Sequence, residues 1–118
     1  MGLVRVGPLP GDALSAAAQF YAEVLPRITP GNESMLTLVF RPADHTHRAW
    51  RLAAVQDLAR RLAPIRVNAV ASADESAIAA ADRYLAKAPG VTGQYLPLVE
   101  PVRQQVLDGP IASRAREW

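Results

Sequence analysis

The 118 residues are half hydrophobic and one fifth charged, which is an ordinary globular composition, and the length suits one domain. Cysteine is absent, which excludes disulfides and thiolate zinc sites, and no apolar run approaches the roughly 20 residues of a membrane span. The formal net charge is only +2 and the arginines are dispersed, so we expect no nucleic-acid or membrane partner. Without a signal-peptide pattern at the N-terminus, we predict a cytoplasmic protein.

Hydrophobic spacing predicts seven elements along the chain. Apolar runs bounded by turn residues predict four strands, over residues 3–6, 35–40, 65–70 and 94–99. Apolar residues at helical spacing predict three helices, over residues 12–29, 47–63 and 72 to about 89. Ser72 and Glu75 fit a capping box at the start of the third helix. Pro97 places the last strand at an edge of the sheet or makes it short.

Strands and helices alternate with short connections, which predicts right-handed crossovers and one parallel sheet covered by helices. The fold class is therefore α/β, with about four parallel strands and three covering helices. We assign residues 1–99 to this domain and residues 100–118 to a C-terminal tail.

Two short motifs give the sequence a family resemblance. Ile65-Arg66-Val67-Asn68 follows the second helix, and Val91-Thr92-Gly93-Gln94 precedes the last strand. In this order and at the two ends of a helix, they resemble the C-terminal half of the short-chain dehydrogenase/reductase family. The resemblance implies a truncated Rossmann-like domain of three layers. It also implies that the first two helices and the last helix with its strand form subunit contacts.

The catalytic residues that this resemblance implies are missing. These enzymes move a proton through a tyrosine whose pKa is lowered by a lysine four residues later. The matched helix puts Arg48 at the tyrosine and Leu52 at the lysine, and no Tyr-x-x-x-Lys occurs in the sequence. The glycine-rich dinucleotide loop has no counterpart, and Pro8 and Pro10 make residues 7–13 a poor phosphate cradle. We therefore predict no catalytic residue, no cofactor and no enzymatic activity.

Two other groups of residues are candidates for ligand binding. Asp44, His45 and His47 offer ligands for a metal, but they lack further ligands nearby, so we predict no metal site. His47, Arg48 and Arg51 follow the second strand, where α/β proteins usually bind ligands, and guanidinium groups suit phosphate or carboxylate. We keep these three as a possible anion-binding set beside the alternative of a solvated first helical turn.

The second helix also offers a possible interface. Trp50, Ala53 and Ala54 are candidates for a contact with another chain, while Leu52 and its apolar neighbours face the sheet. Trp50 packed over its own domain is the alternative. We therefore expect a non-catalytic, oligomerising or partner-binding subunit, with a homo-oligomer or a dehydrogenase-like protein as partner. The rival hypotheses are a small anionic-ligand binder or enzyme that uses the Arg/His edge of the sheet, and a relic without a function.

Overall fold

Strands and α-helices alternate in a computed structural model that describes residues 2–98. The strands are β1 (Gly2–Arg5), β2 (Met35–Phe40), β3 (Arg66–Ala71) and β4 (Tyr95–Pro97). The helices are α1 (Ala13–Gln19), α2 (Arg48–Leu62) and α3 (Glu75–Ala86). No helix in this part of the chain is long and apolar enough to cross a membrane. The tail predicted at 100–118 lies outside the described residues.

One parallel sheet contains all four strands in the order β1-β2-β3-β4. The predicted α/β architecture is thus confirmed, and the predicted strands agree with the observed ones to within a few residues. The central strand β2 is buried at every position, as expected for a strand covered on both faces. The edge strand β4 has only three residues and ends at Pro97, which lacks the N–H that a central strand needs.

Helices cover both faces of the sheet and so create three layers. The face under α1 and α2 holds the larger core, in which helix residues Phe20, Ala54, Val55 and Leu58 pack on strand residues Leu36, Leu38, Phe40, Val67 and Ala69. The opposite face holds a smaller core in which Ile78 and Leu85 of α3 pack on Met35, Val39 and Val70. Alternate residues of β2 and β3 serve the two cores because successive side chains of a strand point to opposite faces.

The position of α3 corrects the prediction of uniformly right-handed crossovers. The connections through α2 and through α3 each advance one strand in the same direction, yet these helices lie on opposite faces. The two crossovers therefore have opposite hands. A buried hydrogen bond over 3.0 Å from Thr37 Oγ1 to Asp82 Oδ1 ties α3 to β2 as well, in addition to its packing on Val70 of β3.

The predicted capping box at the start of α3 is also wrong. Asp74 is the N-cap, because its Oδ1 accepts a hydrogen bond from Ser76 N over 3.0 Å. Ser72 Oγ accepts from the backbone N–H of Asp74 instead. The Glu75 carboxylate reaches away from the helix to Arg5 on β1, at 3.0 Å. An aspartate next to the first turn reaches the free N–H groups directly, so the serine two residues earlier is not needed as a cap.

The first helix is shorter than predicted. Asp12 caps it as expected, with Oδ2 accepting from Ser15 N over 2.9 Å. After Gln19 the chain continues as a π-helical turn over Phe20–Val24 and a 3₁₀ turn over Leu25–Arg27. Pro26 lies in the last turn and has no N–H to continue an α-helical ladder, so the helical path ends there.

The Asn68 side chain joins the two family-like motifs. Asn68 is fully buried on β3. Its Nδ2 donates to Val91 O over 3.0 Å, and its Oδ1 accepts from Gln94 N over 3.0 Å. The carboxamide therefore bonds both ends of the segment 91–94 that leads into β4.

The backbone of Val67 makes the second half of this connection. Val67 N donates to Thr92 Oγ1 over 3.0 Å, and Gly93 N donates to Val67 O over 2.7 Å. Gly93 has a positive φ of 76°, a conformation that glycine adopts without the steric cost of a Cβ. We refer to these two bonds and the two bonds of Asn68 together as the motif lock.

Arg66 connects β3 with the C-terminal end of α3 and the segment that follows it. Its Nη1 lies within hydrogen-bond distance of three carbonyl oxygens, those of Leu85 (3.0 Å), Ala88 (3.0 Å) and Val91 (3.3 Å). A guanidinium at a helix C-terminus satisfies carbonyls that have no intrahelical donor and complements the helix dipole. The residues Arg66, Val67 and Asn68 thus fix the whole connection from α3 to β4.

We predict that Asn68→Ala lowers the free energy of unfolding by about 1–3 kcal/mol, because the backbone N–H of Gln94 loses its acceptor and Val91 O loses one of its two donors. Urea denaturation followed by circular dichroism measures the change. Gln94→Ala is the matched control, since it keeps the backbone N–H of Gln94 and removes only an exposed side chain. An Asn68→Ala variant as stable as this control would contradict the role assigned to the carboxamide.

Candidate functional site

A cleft of about 340 Å³ opens at the carboxyl ends of β1 and β2. Residues 7–11 form one wall, residues 40–44 form the other, and His47 and Arg51 line it from the side of α2. Open α/β sheets bind ligands at this edge, because the loops that follow neighbouring parallel strands diverge there. The cleft therefore brings together the glycine- and proline-rich loop and two of the residues predicted to bind an anion.

Arg51 lies almost fully inside the protein, with 4 % of its surface exposed. Its Nη1 donates to Arg41 O over 3.0 Å and to the hydroxyl of Tyr95 over 2.9 Å. The guanidinium carbon sits 4.5 Å from the centre of the Phe40 ring. Stacking on an aromatic face stabilises a desolvated cation. The side chain is thus fixed by β2, β4 and the loop after β2 together.

The charge of Arg51 has no counter-ion among residues 2–98. The ion pairs of that segment are Arg5–Glu75 and Arg60–Asp57, both on the surface. Arg51 Nε is buried and has no hydrogen-bond partner in the described part of the chain. Burial of a cation without an ion-pair partner costs several kcal/mol, of which neutral hydrogen bonds and an aromatic ring recover only part. Arg51 consequently carries an uncompensated positive charge on the wall of the cleft.

His47 ties the loop 7–11 to the start of α2. The ring is buried, with Nε2 at 2.8 Å from Gly11 O and Nδ1 at 3.1 Å from Trp50 Nε1. The indole nitrogen can only donate, so Nδ1 accepts and the proton of the neutral ring sits on Nε2. Both ring nitrogens are then occupied by protein groups. His47 shapes the cleft, and it would need to give up one of these bonds to bind a ligand or a metal.

Arg48 does not belong to the cleft. Its side chain is exposed at the first turn of α2, whereas Arg51 points inward three residues later. The anion-binding set predicted from the sequence is therefore corrected in its placement: His47 and Arg51 line the cleft, and Arg48 lies outside it.

The Asp44-His45-Thr46-His47 segment forms a 3₁₀ turn rather than a set of converging ligands. Asp44 Oδ1 accepts hydrogen bonds from the hydroxyl of Thr46 and, over 3.0 Å, from its backbone N–H. These bonds, the hydroxyl bond first, hold the pKa of the Asp44 carboxyl below its ordinary value. No group of three potential metal ligands occurs within residues 2–98.

Sequence reasoning missed two contributors to the site. Tyr95 gives Arg51 its hydroxyl partner, and the backbone carbonyl of Arg41 gives the other. The register of β3 with β4 places Tyr95 opposite Ala69, and this pairing brings it to the side of the sheet that α2 covers. From the sequence, this contact could have been anticipated only by predicting how the residues of β3 and β4 pair.

Comparison with protein-family models finds a match to the model described as short chain dehydrogenase-like protein, over residues 4–98. The matched segment covers most of the chain and includes the second half of β1, the other three strands and the motif lock. The chain belongs to this short-chain dehydrogenase-like family. Searches of curated proteins and of solved structures found no match.

Within this short-chain dehydrogenase-like chain, neither of the two residues that the sequence resemblance assigned to the catalytic positions lies at the cleft. Arg48 is exposed, and Leu52 is half-buried against the core between α2 and the sheet.

The three residues predicted as an interface occupy three different environments. Ala53 is exposed, whereas Ala54 is fully buried in the core under α2 and has no surface to offer another chain. Trp50 is half-buried, with its ring centre 5.5 Å from that of Phe20 and 5.7 Å from that of Phe40. The prediction that Ala54 contacts another chain is therefore wrong, because the helix is rotated so that Ala54 faces the sheet.

We predict that Arg51→Met leaves the free energy of unfolding within about 1 kcal/mol of the wild-type value or raises it, because it removes an unpaired buried charge and keeps the apolar stem. The matched control is Arg66→Met, which should lose about 1–3 kcal/mol with its hydrogen bonds to carbonyls. Denaturant unfolding of the three proteins makes the comparison. A loss for Arg51→Met as large as that for Arg66→Met would mean that Arg51 stabilises the fold.

Proposed function

We propose that this chain is a non-catalytic member of the family that acts as an oligomerising or partner-binding subunit, and that it self-associates through the outer sides of α1 and α2. The observation that carries the proposal is an exposed row of apolar and small residues along both helices. We call this row the outer helix face, and it consists of Leu14 and Ala18 of α1, Tyr21 of the π-helical turn that continues α1, and Ala49 and Ala53 of α2.

The outer helix face has apolar side chains that are exposed and not packed inside the domain. Leu14 is 82 % exposed and Tyr21 is 38 % exposed. Ala49 and Ala53 lie one turn apart on α2 and are exposed as well, so their small side chains leave room for another helix to approach. A single exposed leucine is ordinary on a protein surface, but several exposed apolar and small residues on two neighbouring helices are typical of an interface.

The two helices of this face adjoin each other through Tyr21. Partial burial raises the pKa of the Tyr21 hydroxyl, and the negative charge of Asp57 on α2 adds to the shift. Asp57 also pairs with Arg60 on α2, so charges of both signs border the apolar row. In a twofold contact the same patch of two chains meets, so a border with charges of both signs lets opposite charges face each other.

The residue types at the two positions that the resemblance assigns to catalysis support the non-catalytic half of the proposal. Carbonyl reduction needs a proton donor at the tyrosine position, and an arginine such as Arg48 is a poor proton donor. Leu52, at the lysine position, offers no charge to lower the pKa of a neighbour.

We expect the wild-type protein to have a mass above that of one chain in size-exclusion chromatography with light scattering at high micromolar concentration. Ala53→Glu should shift it to the monomer mass, because two glutamates would face each other near the centre of a twofold contact. Circular dichroism should show an unchanged fold, since the side chain at position 53 is exposed.

Ala79→Glu is the matched control, because it makes the same change at an exposed helical alanine on α3, across the sheet. Its mass should equal that of the wild-type protein. A wild-type monomer at these concentrations would contradict self-association. If Ala79→Glu were a monomer and Ala53→Glu were not, the contact would lie on α3 and not on the outer helix face.

We also expect no stoichiometric binding of NAD(H) or NADP(H) to the isolated chain in calorimetry and no turnover of carbonyl or alcohol substrates. Pro8 and Pro10 remove backbone N–H donors from the loop between β1 and α1, which a pyrophosphate would need. Binding at one nucleotide per chain together with turnover would overturn the non-catalytic assignment while leaving the mass measurement unaffected.

A further inference from the structure

We propose that the cleft at the carboxyl ends of β1 and β2 binds a small organic carboxylate with an apolar body, anchored by Arg51. The proposal is independent of self-association, because the cleft lies at the edge of the sheet and the outer helix face lies on α1 and α2. It rests on the buried charge, the scarcity of backbone donors and the apolar walls of the cleft.

The charge of the cleft favours an anion. Arg51 is buried, has no ion-pair partner among residues 2–98, and keeps a buried Nε without a hydrogen-bond acceptor. Arg41 adds a second positive charge at the rim. Asp44 is the one carboxylate on the described cleft wall, and its hydrogen bonds to Thr46 hold it in the loop. An anionic ligand would supply the counter-ion that Arg51 lacks.

The donor set favours a carboxylate over a phosphate. Nη1 of Arg51 is bonded to Arg41 O and to the Tyr95 hydroxyl, which leaves the planar edge of Nε and Nη2 to match the two oxygens of a carboxylate. A phosphate needs further donors, which proteins usually supply as successive backbone N–H groups. Three wall residues, Pro8, Pro10 and Pro42, have no N–H to give. The cleft can therefore satisfy two oxygens at Arg51 more readily than the several oxygens of a phosphate.

The walls of the cleft favour an apolar body behind the carboxylate. Six side chains of the lining are apolar, namely Pro8, Leu9, Pro10, Phe40, Pro42 and Ala43. The volume of about 340 Å³ is at the small end of the range of ligand pockets. Such a cavity suits one ring or a short branched chain.

Benzoate is the probe, with benzamide as its neutral isostere and inorganic phosphate as the competing head group. Each is titrated into the full chain while ¹H–¹⁵N spectra are recorded. We expect saturable shifts with benzoate for the amides of Gly7, Gly11 and Ala43, with Kd on the order of 1 mM. Benzamide and phosphate should bind at least about tenfold more weakly, since benzamide lacks the negative charge and phosphate lacks the apolar body.

Arg51→Met should weaken benzoate binding at least about tenfold, whereas Arg48→Met removes an arginine outside the cleft and should leave it unchanged. Ala43→Leu fills the cleft without touching Arg51 and should also abolish binding. This second variant keeps the test informative if Arg51→Met fails to fold. Circular dichroism reports the fold of each variant.

Four results would overturn the proposal. One is the absence of saturable shifts with benzoate up to roughly ten times the expected Kd. If Arg51→Met bound benzoate as tightly as the wild-type protein, Arg51 would not be the anchor. If the wild-type protein bound benzamide as tightly as benzoate, the cleft would not recognise the charge. Phosphate bound more tightly than benzoate in an Arg51-dependent way would assign the cleft to a phosphate instead.

Discussion

The buried carboxamide of Asn68 is the interaction on which the rest of the structure depends. It bonds Val91 O and Gln94 N, and so it sets the point at which the chain enters β4. Tyr95 follows at once, and its hydroxyl accepts a hydrogen bond from Arg51 across the sheet edge. A change at Asn68 would therefore reach the cleft through β4, although Asn68 itself does not line it. Structure and candidate site are linked by this one side chain.

The motif lock also bears on the proposal that this chain keeps the family's fold without its catalytic residues. The hydrogen bonds of Val67 and Asn68 involve backbone groups and a buried amide, and none of them reaches the cleft directly. Buried polar groups must be paired, so these bonds support the fold whatever residues stand at the cleft. Arg48 and Leu52, which the resemblance assigns to the catalytic positions, take no part in the motif lock, so the proposal is compatible with this architecture.

Much of the fold was predictable because it depends on hydrophobic spacing. The run Met35–Phe40 identified the central strand without error, since an apolar run bounded by turn residues has few other solutions. The face of α2 was harder. Pattern reasoning places arginine toward solvent, as is usual, but Arg51 is buried and the helix is rotated so that Ala54 and not Ala53 faces the sheet. The cost of burying that charge depends on Phe40, Tyr95 and a loop carbonyl, which only the folded chain brings together. The side of the sheet that α3 covers likewise involves contacts between residues far apart in the sequence, such as the hydrogen bond between Thr37 and Asp82, which are 45 residues apart.

Native-state hydrogen exchange of the Gly93 and Gln94 amides tests the role of the motif lock most directly. Both donate to buried acceptors on β3, to Val67 O and to Asn68 Oδ1. If the lock holds the fold together, both amides should exchange only through global unfolding, with an opening free energy equal to that from denaturant unfolding. Exchange of either amide through a local opening far below the global free energy, while β2 stays protected, would contradict the account.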